Sequence, residues 1–316
     1  MLPDLVTIGR VSVDLYPEQV ATPIRSVQTF RMSIGGTPTN VAVAAARLGN
    51  HAAVVTKVGD DQFGDYVCHA LAATFGVDIR FVGIDPRLKT PLAFAELYPP
   101  EDPNIIFYRE PRAPDMNLTT DDLDLRVVME APILWIPASR FSGEPSRSTV
   151  RRVLERRERR PEVVIDLDWR PMFWSSEDEA GRRIGPMLDH ATIAIGNREE
   201  CRIAVGTADP DRAADRLLAR GLRAAMVKMG GDGVLVATVD GDRESIPPFS
   251  VSVVCGLGAG DAFGGAFCHG ILRGWPITEC ARFGNAAGAI VASRLMCADD
   301  MPTLEEITEF LAGRAP

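Results

Sequence analysis

Asp261 follows three small residues, Gly258, Ala259 and Gly260, in the stretch VCGLGAGD. Glycine lets a backbone come close to a ligand. The unpaired N–H groups of a helix start, with the helix dipole, favour an anion. The stretch therefore reads as a phosphate cradle. A carboxylate inside such a cradle repels phosphate, so it is a poor choice for binding alone. It suits a base that takes a proton from a hydroxyl attacking that phosphate. Neither G-x-x-x-x-G-K-[ST] nor G-x-G-x-x-G stands here, which excludes a Walker-type loop and a dinucleotide fingerprint.

Three further stretches hold arginines where a ligand could meet them. IIFYREPRAPDMNL carries Tyr108 and Arg109, ASRFSGEPSR carries Ser139 and Arg140, and VIDLDWRPMFW carries Asp168 and Arg170. The last two follow apparent strand ends, where sites of open α/β sheets lie. Arginines converging there would bind a carboxylate through paired hydrogen bonds. A neutral hexose or a nucleoside has no need of them, so the set points to a sugar acid.

Such scattered residues need a scaffold that gathers them. Residues 4–9 (DLVTIG) read as a short buried strand. Thr37 can cap a helix whose first position suits Pro38, and Val41, Ala44, Ala45 and Leu48 keep helical spacing up to Gly49-Asn50. A strand at 52–59 and a helix at about 61–75 follow. Beyond residue 121 the strands ILWIPA, EVVIDLD, TIAIGN, AAMVKMG and GVLVATV alternate with helices. A further strand is read at 249–254 (FSVSVV), before the cradle. The last third is helical, at about 259–273, 277–295 and 304–311. Alternation of this kind predicts a parallel sheet covered on both faces. Two excursions, about 10–35 and 90–113, are β-rich instead. They predict one small sheet, a lid beside the carboxyl edge of the main sheet, within a single domain over 1–316.

Bulk properties narrow the function classes. A net charge of −9 gives no basic face for nucleic acid. The one basic run, Arg147 to Pro161, reads as the solvated outer face of a helix. Asp4, Arg10 and Asp14 interrupt the first residues, and Arg294 interrupts the most apolar late stretch, so neither a signal peptide nor a membrane span is expected. Six cysteines and four histidines are scattered without C-x-x-C or H-E-x-x-H. This argues against zinc or disulfides and for reduced thiols in a cytoplasmic protein.

In chain order, GGTPTNVAVAAARLG, VGDDQFG, GNREE, VKMGGDGVLV and GLGAGDAF resemble the ribokinase-like (PfkB) carbohydrate kinases over essentially the whole chain. The resemblance implies a Rossmann-type three-layer α/β sandwich with a small β-sheet lid. It implies ATP and Mg2+ as cofactors and a sugar hydroxyl as acceptor. Asp261 would be the base, and the backbone of Gly258, Ala259 and Gly260 would stabilise the transferring phosphoryl group. Asn197 and Glu200 would lie near the ATP phosphates and the hydrated Mg2+. Lys228, Gly230 and Gly233 would form the nucleotide loop, with Asn285 beside the adenine. Asp14, Gly35, Gly36 and Asn40 would hold sugar hydroxyls.

TIGRVSVDLY, TPLAFAE, FYRE, DLDWRPMFW and DDMPTLEEI are similar to one branch, the 5-dehydro-2-deoxygluconokinases of myo-inositol breakdown. A 2-keto-3-deoxygluconate kinase, or a kinase of fructokinase or ribokinase type, is the alternative. A catalytically inactive sugar-acid sensor is a further one, against which Asp261, Asn197 and Glu200 all speak. Cys255-Gly256-Leu257 stand where most of the family reads D-T-x. The missing Asp and Thr help hold a monovalent cation in many relatives, so the use of K+ is left open. Cys255 near a helix start could be reactive, although an inert buried thiol is the plainer reading. Relatives often pair through their lids, which implies a homodimer.

Overall fold

The computed structural model describes residues 1–19, 21–99 and 103–313. In chain order its elements begin with β1 (Leu5–Ile8), β2 (Ser12–Pro17), β3 (Phe30–Gly35), α1 (Thr37–Arg47), β4 (Ala52–Gly59) and α2 (Gln62–His69). There follow β5 (Val82–Asp85), β6 (Leu92–Glu96), β7 (Asn104–Tyr108), α3 (Leu125–Glu130), β8 (Ile133–Pro137), α4 (Ser146–Arg157), β9 (Glu162–Asp166) and α5 (Glu177–Leu188). The last are β10 (Ile193–Asn197), α6 (Arg198–Val205), α7 (Pro210–Leu218), β11 (Ala224–Lys228), β12 (Val234–Thr238), β13 (Arg243–Ile246), α8 (Ala259–Leu272), α9 (Ile277–Ala292) and α10 (Leu304–Ala312).

Nine strands form the main sheet in the order β13-β12-β11-β10-β9-β8-β1-β4-β5. Pairing is parallel except at β11–β12 and β12–β13. The strands are apolar on both faces because both are covered. Along β8, Ile133 and Trp135 enter one core, with Val41 of α1 and Phe267 of α8. Leu134 and Ile136 enter the other, with Val150 of α4 and Ile184 of α5. Each fully buried aliphatic side chain contributes about 1.5–3 kcal/mol. The result is a three-layer α/β sandwich.

The chain leaves β1 toward β4 and β5, then returns on the other side of β1 with β8. A crevice therefore opens at the carboxyl ends of β1 and β8. Arg10 and Ser139 lie there, together with the segment after β9 that holds Asp168 and Arg170.

A second sheet has the order β3-β2-β6-β7. Its pairing puts Ser12, Asp14, Tyr16, Ala93, Ile105 and Phe107 on one face. Leu15, Met32, Phe94, Ile106 and Tyr108 share the other. The first face meets the crevice, since Asp14, Tyr16, Ile105 and Phe107 line the same cavity as Asp261.

Three local expectations are corrected. Residues 249–254 form no strand: the N–H groups of Val254 and Cys255 both donate to Ala292 O, at 2.9 and 3.2 Å, which lays the segment along α9. Thr37 is not the cap of α1. Gly36 is, at φ +103°, and a side chain there would strike Arg10 O at 2.3 Å. Two short edge strands, β5 and β13, join the sheet without a sequence signal, because only Asp85 and Ile246 respectively are buried in them.

Candidate active site

Gly258 adopts a left-handed conformation, φ +80°, and serves as the N-cap of α8. A Cβ there would lie 2.6 Å from Cys297 Sγ, so no side chain fits. The turn leaves the first amides of α8 without helical partners, and Asp261 stands in the same turn. α8 docks closely on α1, where a methyl on Gly265 would lie 2.4 Å from Ala44 Cβ. That approach brings Asn40 of α1 to the carboxylate: Asn40 Nδ2 donates to Asp261 Oδ2 at 2.7 Å. Asn40 Oδ1 is buried without a partner and is free to accept from a ligand hydroxyl. Burial lifts the Asp261 carboxyl to about 6, against the Asn40 hydrogen bond, with Asp168 raising it further and Arg170 and Lys228 lowering it. It is thus mostly ionised at neutral pH and still basic enough to take a proton.

The cavity between α8 and the second sheet has a free volume of about 40 Å³. Arg10, Asp14, Asn40, Phe107, Arg170 and Asp261 border it. Ser12 Oγ and Tyr16 OH donate to the two oxygens of Asp14, at 2.6 and 3.3 Å. Burial raises the Asp14 carboxyl above its usual range. Gly35 ends β3 against Asp14, whose Oδ2 lies 1.9 Å from where a Cβ would stand.

On the other side of Asp261, a polar cavity of about 340 Å³ is bordered by Asp166, Arg170, Asn197, Glu200, Lys228 and Gly260. Asn197 and Glu200 cap α6 reciprocally. Asn197 Oδ1 accepts from the Glu200 N–H at 2.8 Å, and Glu200 Oε2 accepts from the Asn197 N–H at 2.7 Å. Their three-residue spacing is therefore also a capping box. Lys228 ends β11, and its Nζ lies 3.0 Å from the position of a Cβ on Gly260. A third cavity, of about 540 Å³, continues past Lys228 and Gly260 to Gly230, Gly233, Phe249, Val251 and Asn285. Asn285 Nδ2 donates to Pro247 O at 2.8 Å, which ties α9 to the loop roofing this cavity. The three spaces form a row: a small polar pocket, a charged middle and a slot with an apolar wall.

Three residues expected at the site, Tyr108, Arg140 and Arg109, do not border the pocket that holds Asp261. Tyr108 is 62% exposed on the outer face of the second sheet, edge-on to Phe94. Strand alternation turns Phe107 inward and Tyr108 outward. Arg140 is fully buried in a structural ion pair: Nη1 donates to Asp115 Oδ1 at 2.9 Å, and Nη2 donates to Asp115 O and to Ser146. Arg109 is anchored by the same Asp115, at 2.7 Å, and borders a separate cavity of about 370 Å³ with Arg10 and Phe173. Asp168 is buried and accepts from Ser139 Oγ at 2.7 Å and Arg170 Nε at 3.1 Å. Of the expected arginines, only Arg170 borders the pocket that holds Asp261.

Two residues at the site were not expected. Asp166 ends β9 inside the charged cavity. Burial lifts its carboxyl to about 8, with Lys228 opposing and Glu200, Asp168 and Asp261 adding to the rise. Arg10 follows β1 after a single residue, Gly9. The strand-end rule that singled out Arg140 and Arg170 applies equally to β1 and β9, and would have found both. Cys255 is buried and its thiol is pushed up to about 11 by burial, so it is an inert core residue. Among the described residues, no helix is long and apolar enough to cross a membrane.

Comparison with known proteins places the whole chain in a family. The model of the pfkB family carbohydrate kinases matches residues 2–304. A 5-dehydro-2-deoxygluconokinase of Clostridium perfringens is 32% identical over 98% of this chain and 92% of its own length. One from Geobacillus thermodenitrificans is 32% identical over 98% and 93%. Among solved structures, a putative ribokinase II from E. coli, in complex with ATP and Mg2+, superposes with a TM-score of 0.88. It is 23% identical, over 99% of this chain and 100% of that one. A fructokinase from Xylella fastidiosa with bound ATP gives 0.85 at 24% identity, over the whole of both chains. The fold is therefore ribokinase-like.

Proposed function

The chain belongs to the pfkB family of carbohydrate kinases and is an ATP-dependent sugar kinase, and on that premise we propose that it phosphorylates 5-dehydro-2-deoxy-D-gluconate at its primary hydroxyl. The observation that carries the acid is a charge imbalance. Asp115 pairs with both Arg109 and Arg140, and Asp168 with both Arg10 and Arg170. In this arginine cluster two buried carboxylates serve four guanidiniums, so an acidic substrate meets donors that lack a full partner. The neighbouring Asp14, Asp166, Glu200 and Asp261 leave the site as a whole without a positive excess. The names of the relatives above support the particular acid.

In this reading Asp261 takes the hydroxyl proton while Asn40 and Asp14 hold neighbouring hydroxyls. The amides at the start of α8, with Lys228 and Arg170, stabilise the transferring phosphoryl group. The nucleotide lies along the larger cavities, its base by Gly230, Gly233 and Asn285. The charged cavity offers the carboxylates of Asp166, Glu200 and Asp261 beside Lys228 and Arg170, and the lifted Asp166 carboxyl marks a cluster in which the carboxylates are not fully offset. These donors fit Mg2+, which Glu200 and Asp166 would hold through water, and which would neutralise phosphate charge. Cys255 and Gly256 offer no side-chain oxygen for K+, so replacing K+ by a bulky organic cation is expected to change the rate little, and a large drop would show that a cation site survives without Asp and Thr. The second sheet serves as the lid over the small pocket.

A panel of sugars with ATP tests the substrate. The enzyme is expected to favour 5-dehydro-2-deoxygluconate, then 2-keto-3-deoxygluconate, over fructose and ribose by about tenfold or more in kcat/KM, the scale of one charged contact. A neutral sugar turned over faster than either acid would overturn the proposal.

The outer face of the second sheet fits a second copy of the chain. Phe30 and Phe94 meet edge-on at 5.4 Å, Phe94 and Tyr108 at 5.5 Å, and Met32 is 41% exposed beside them. An apolar sheet face of this kind is covered in a stable protein. Light scattering is expected to give a dimer for the wild type and a monomer for Tyr108→Arg. A monomeric wild type would sink the idea.

A further inference from the structure

Arg10 has no part in the scheme above beyond its charge. Its side chain is 5% exposed. It borders both the pocket that holds Asp261 and the cavity of about 370 Å³ behind Phe107 and Phe173. Its guanidinium carbon lies 5.7 Å from the centre of the Phe107 ring and 5.4 Å from that of Phe173.

For a buried arginine its hydrogen bonding is poor. Nη1 reaches Ser139 Oγ and Asp168 Oδ2, both at 3.5 Å, and Nη2 reaches Thr37 Oγ1 at 3.1 Å. Nε is buried with no partner. A buried guanidinium left in this state is costly. Among the described residues no nearby carboxylate corrects it. Asp168 spends its closer contacts on Ser139 and Arg170. The two oxygens of Asp14 take Ser12 and Tyr16. Asp115 is taken by Arg109 and Arg140.

We infer that Arg10 recognises the substrate's carboxylate and sets the preference for an acid over a neutral sugar. The inference rests on the sugar-acid reading above. Arg10 is better placed than the other arginines. Arg140 gives both Nη groups to Asp115 and Ser146, and neither Arg140 nor Arg109 borders the pocket of Asp261. Arg170 borders that pocket and the charged cavity alike, so its remaining donors suit the transferred phosphoryl group. A carboxylate against Arg10 would gain a paired hydrogen bond of the short, charged kind. Phe107 and Phe173 keep water from competing and hold the guanidinium plane in place.

The test compares wild type, Arg10→Met and Arg10→Lys on two substrates, 5-dehydro-2-deoxygluconate and the same sugar with its carboxylate reduced to an alcohol. In Arg10→Met, KM for the acid is expected to rise by about 10- to 100-fold, the worth of a charged hydrogen-bond pair, with kcat changed much less. The ratio of kcat/KM for acid over neutral sugar falls by the same factor. Arg10→Lys recovers part of the ratio, since it keeps the charge and loses the fork. If Arg10→Met does not fold, Arg10→Lys decides on the same ratio. A wild type that prefers the acid, with a ratio unchanged in the variants, overturns the role of Arg10 and leaves the substrate standing. A wild type that prefers the neutral sugar overturns the substrate first, and the role of Arg10 with it.

Discussion

Asp261→Asn is expected to bind ATP and sugar almost as the wild type does and to lose about 10²-fold or more in kcat, the scale of a lost general base. The amide keeps the size of the carboxylate and can still pair with Asn40, so the start of α8 stays in place. What it loses is the capacity to take a proton. Single-turnover kinetics beside binding calorimetry would separate the two effects, and near-normal turnover would remove Asp261 from the mechanism.

The pH profile belongs to the same prediction. The Asp261 carboxyl sits at about 6 in the folded protein, and the active form is the ionised one. Activity is therefore full above that value and falls about tenfold per unit below it. The Asn40 hydrogen bond holds the value down. Asn40→Ala should move the acid limb of the kcat profile to higher pH, lowering activity at pH 6.5 more than at pH 8. A limb that stays in place or moves downward would contradict the assignment.

Lys228→Met carries the second large effect. Lys228 opposes four carboxylates, Asp166, Glu200, Asp261 and Asp168, and all four in turn raise its own value. Its Nζ also packs over Gly260. Removing one preorganised charge from a phosphoryl site costs about 10²–10³ in kcat. The variant should lose that much, and its acid limb should also rise, because Lys228 lowers the Asp261 carboxyl.

Stability gives an independent readout. Asp166, at about 8, is held above its unfolded value of 3.8, so the folded state binds its proton more tightly. The stabilisation from that proton is lost as pH rises through about 8. Without Lys228 the cluster is harder still to ionise. The melting temperature of Lys228→Met, measured against wild type, should drop further at pH 8.5 than at pH 6. An equal drop at both would show that the lysine does not offset these carboxylates.

Much of the site was legible because its motifs are local. The left-handed Gly258, the first turn of α8 and Asp261 are consecutive, so spacing alone fixes their mutual geometry. Asn197 and Glu200 are likewise joined by one helical turn. The strands and helices of the main sheet follow from hydrophobic period and capping, which also act over short range. Where the short-range signal was weak or misleading, at residues 249–254, β5 and β13, neighbours in space decided the conformation. The stretch FSVSVV has strand character, yet two bonds to Ala292 O hold it on α9.

The choice among the arginines shows the same division. From the sequence, Arg109 on the second β-rich excursion and Arg140 and Arg170 past strand ends are equal candidates, and Tyr108 stands with Arg109. Only the folded chain shows that Asp115 binds two of the three and that alternation along β7 turns Tyr108 away. It also shows that Arg10, more than a hundred residues from Ser139 and Asp168, reaches both of them. The sequence by itself determined the fold class and the local geometry of the turn from Gly258 to Asp261, because each depends on the order of nearby residues. Tertiary structure decided which charges are already neutralised, because ion pairing depends on which distant carboxylate lies within about 4 Å, and no local pattern encodes that distance.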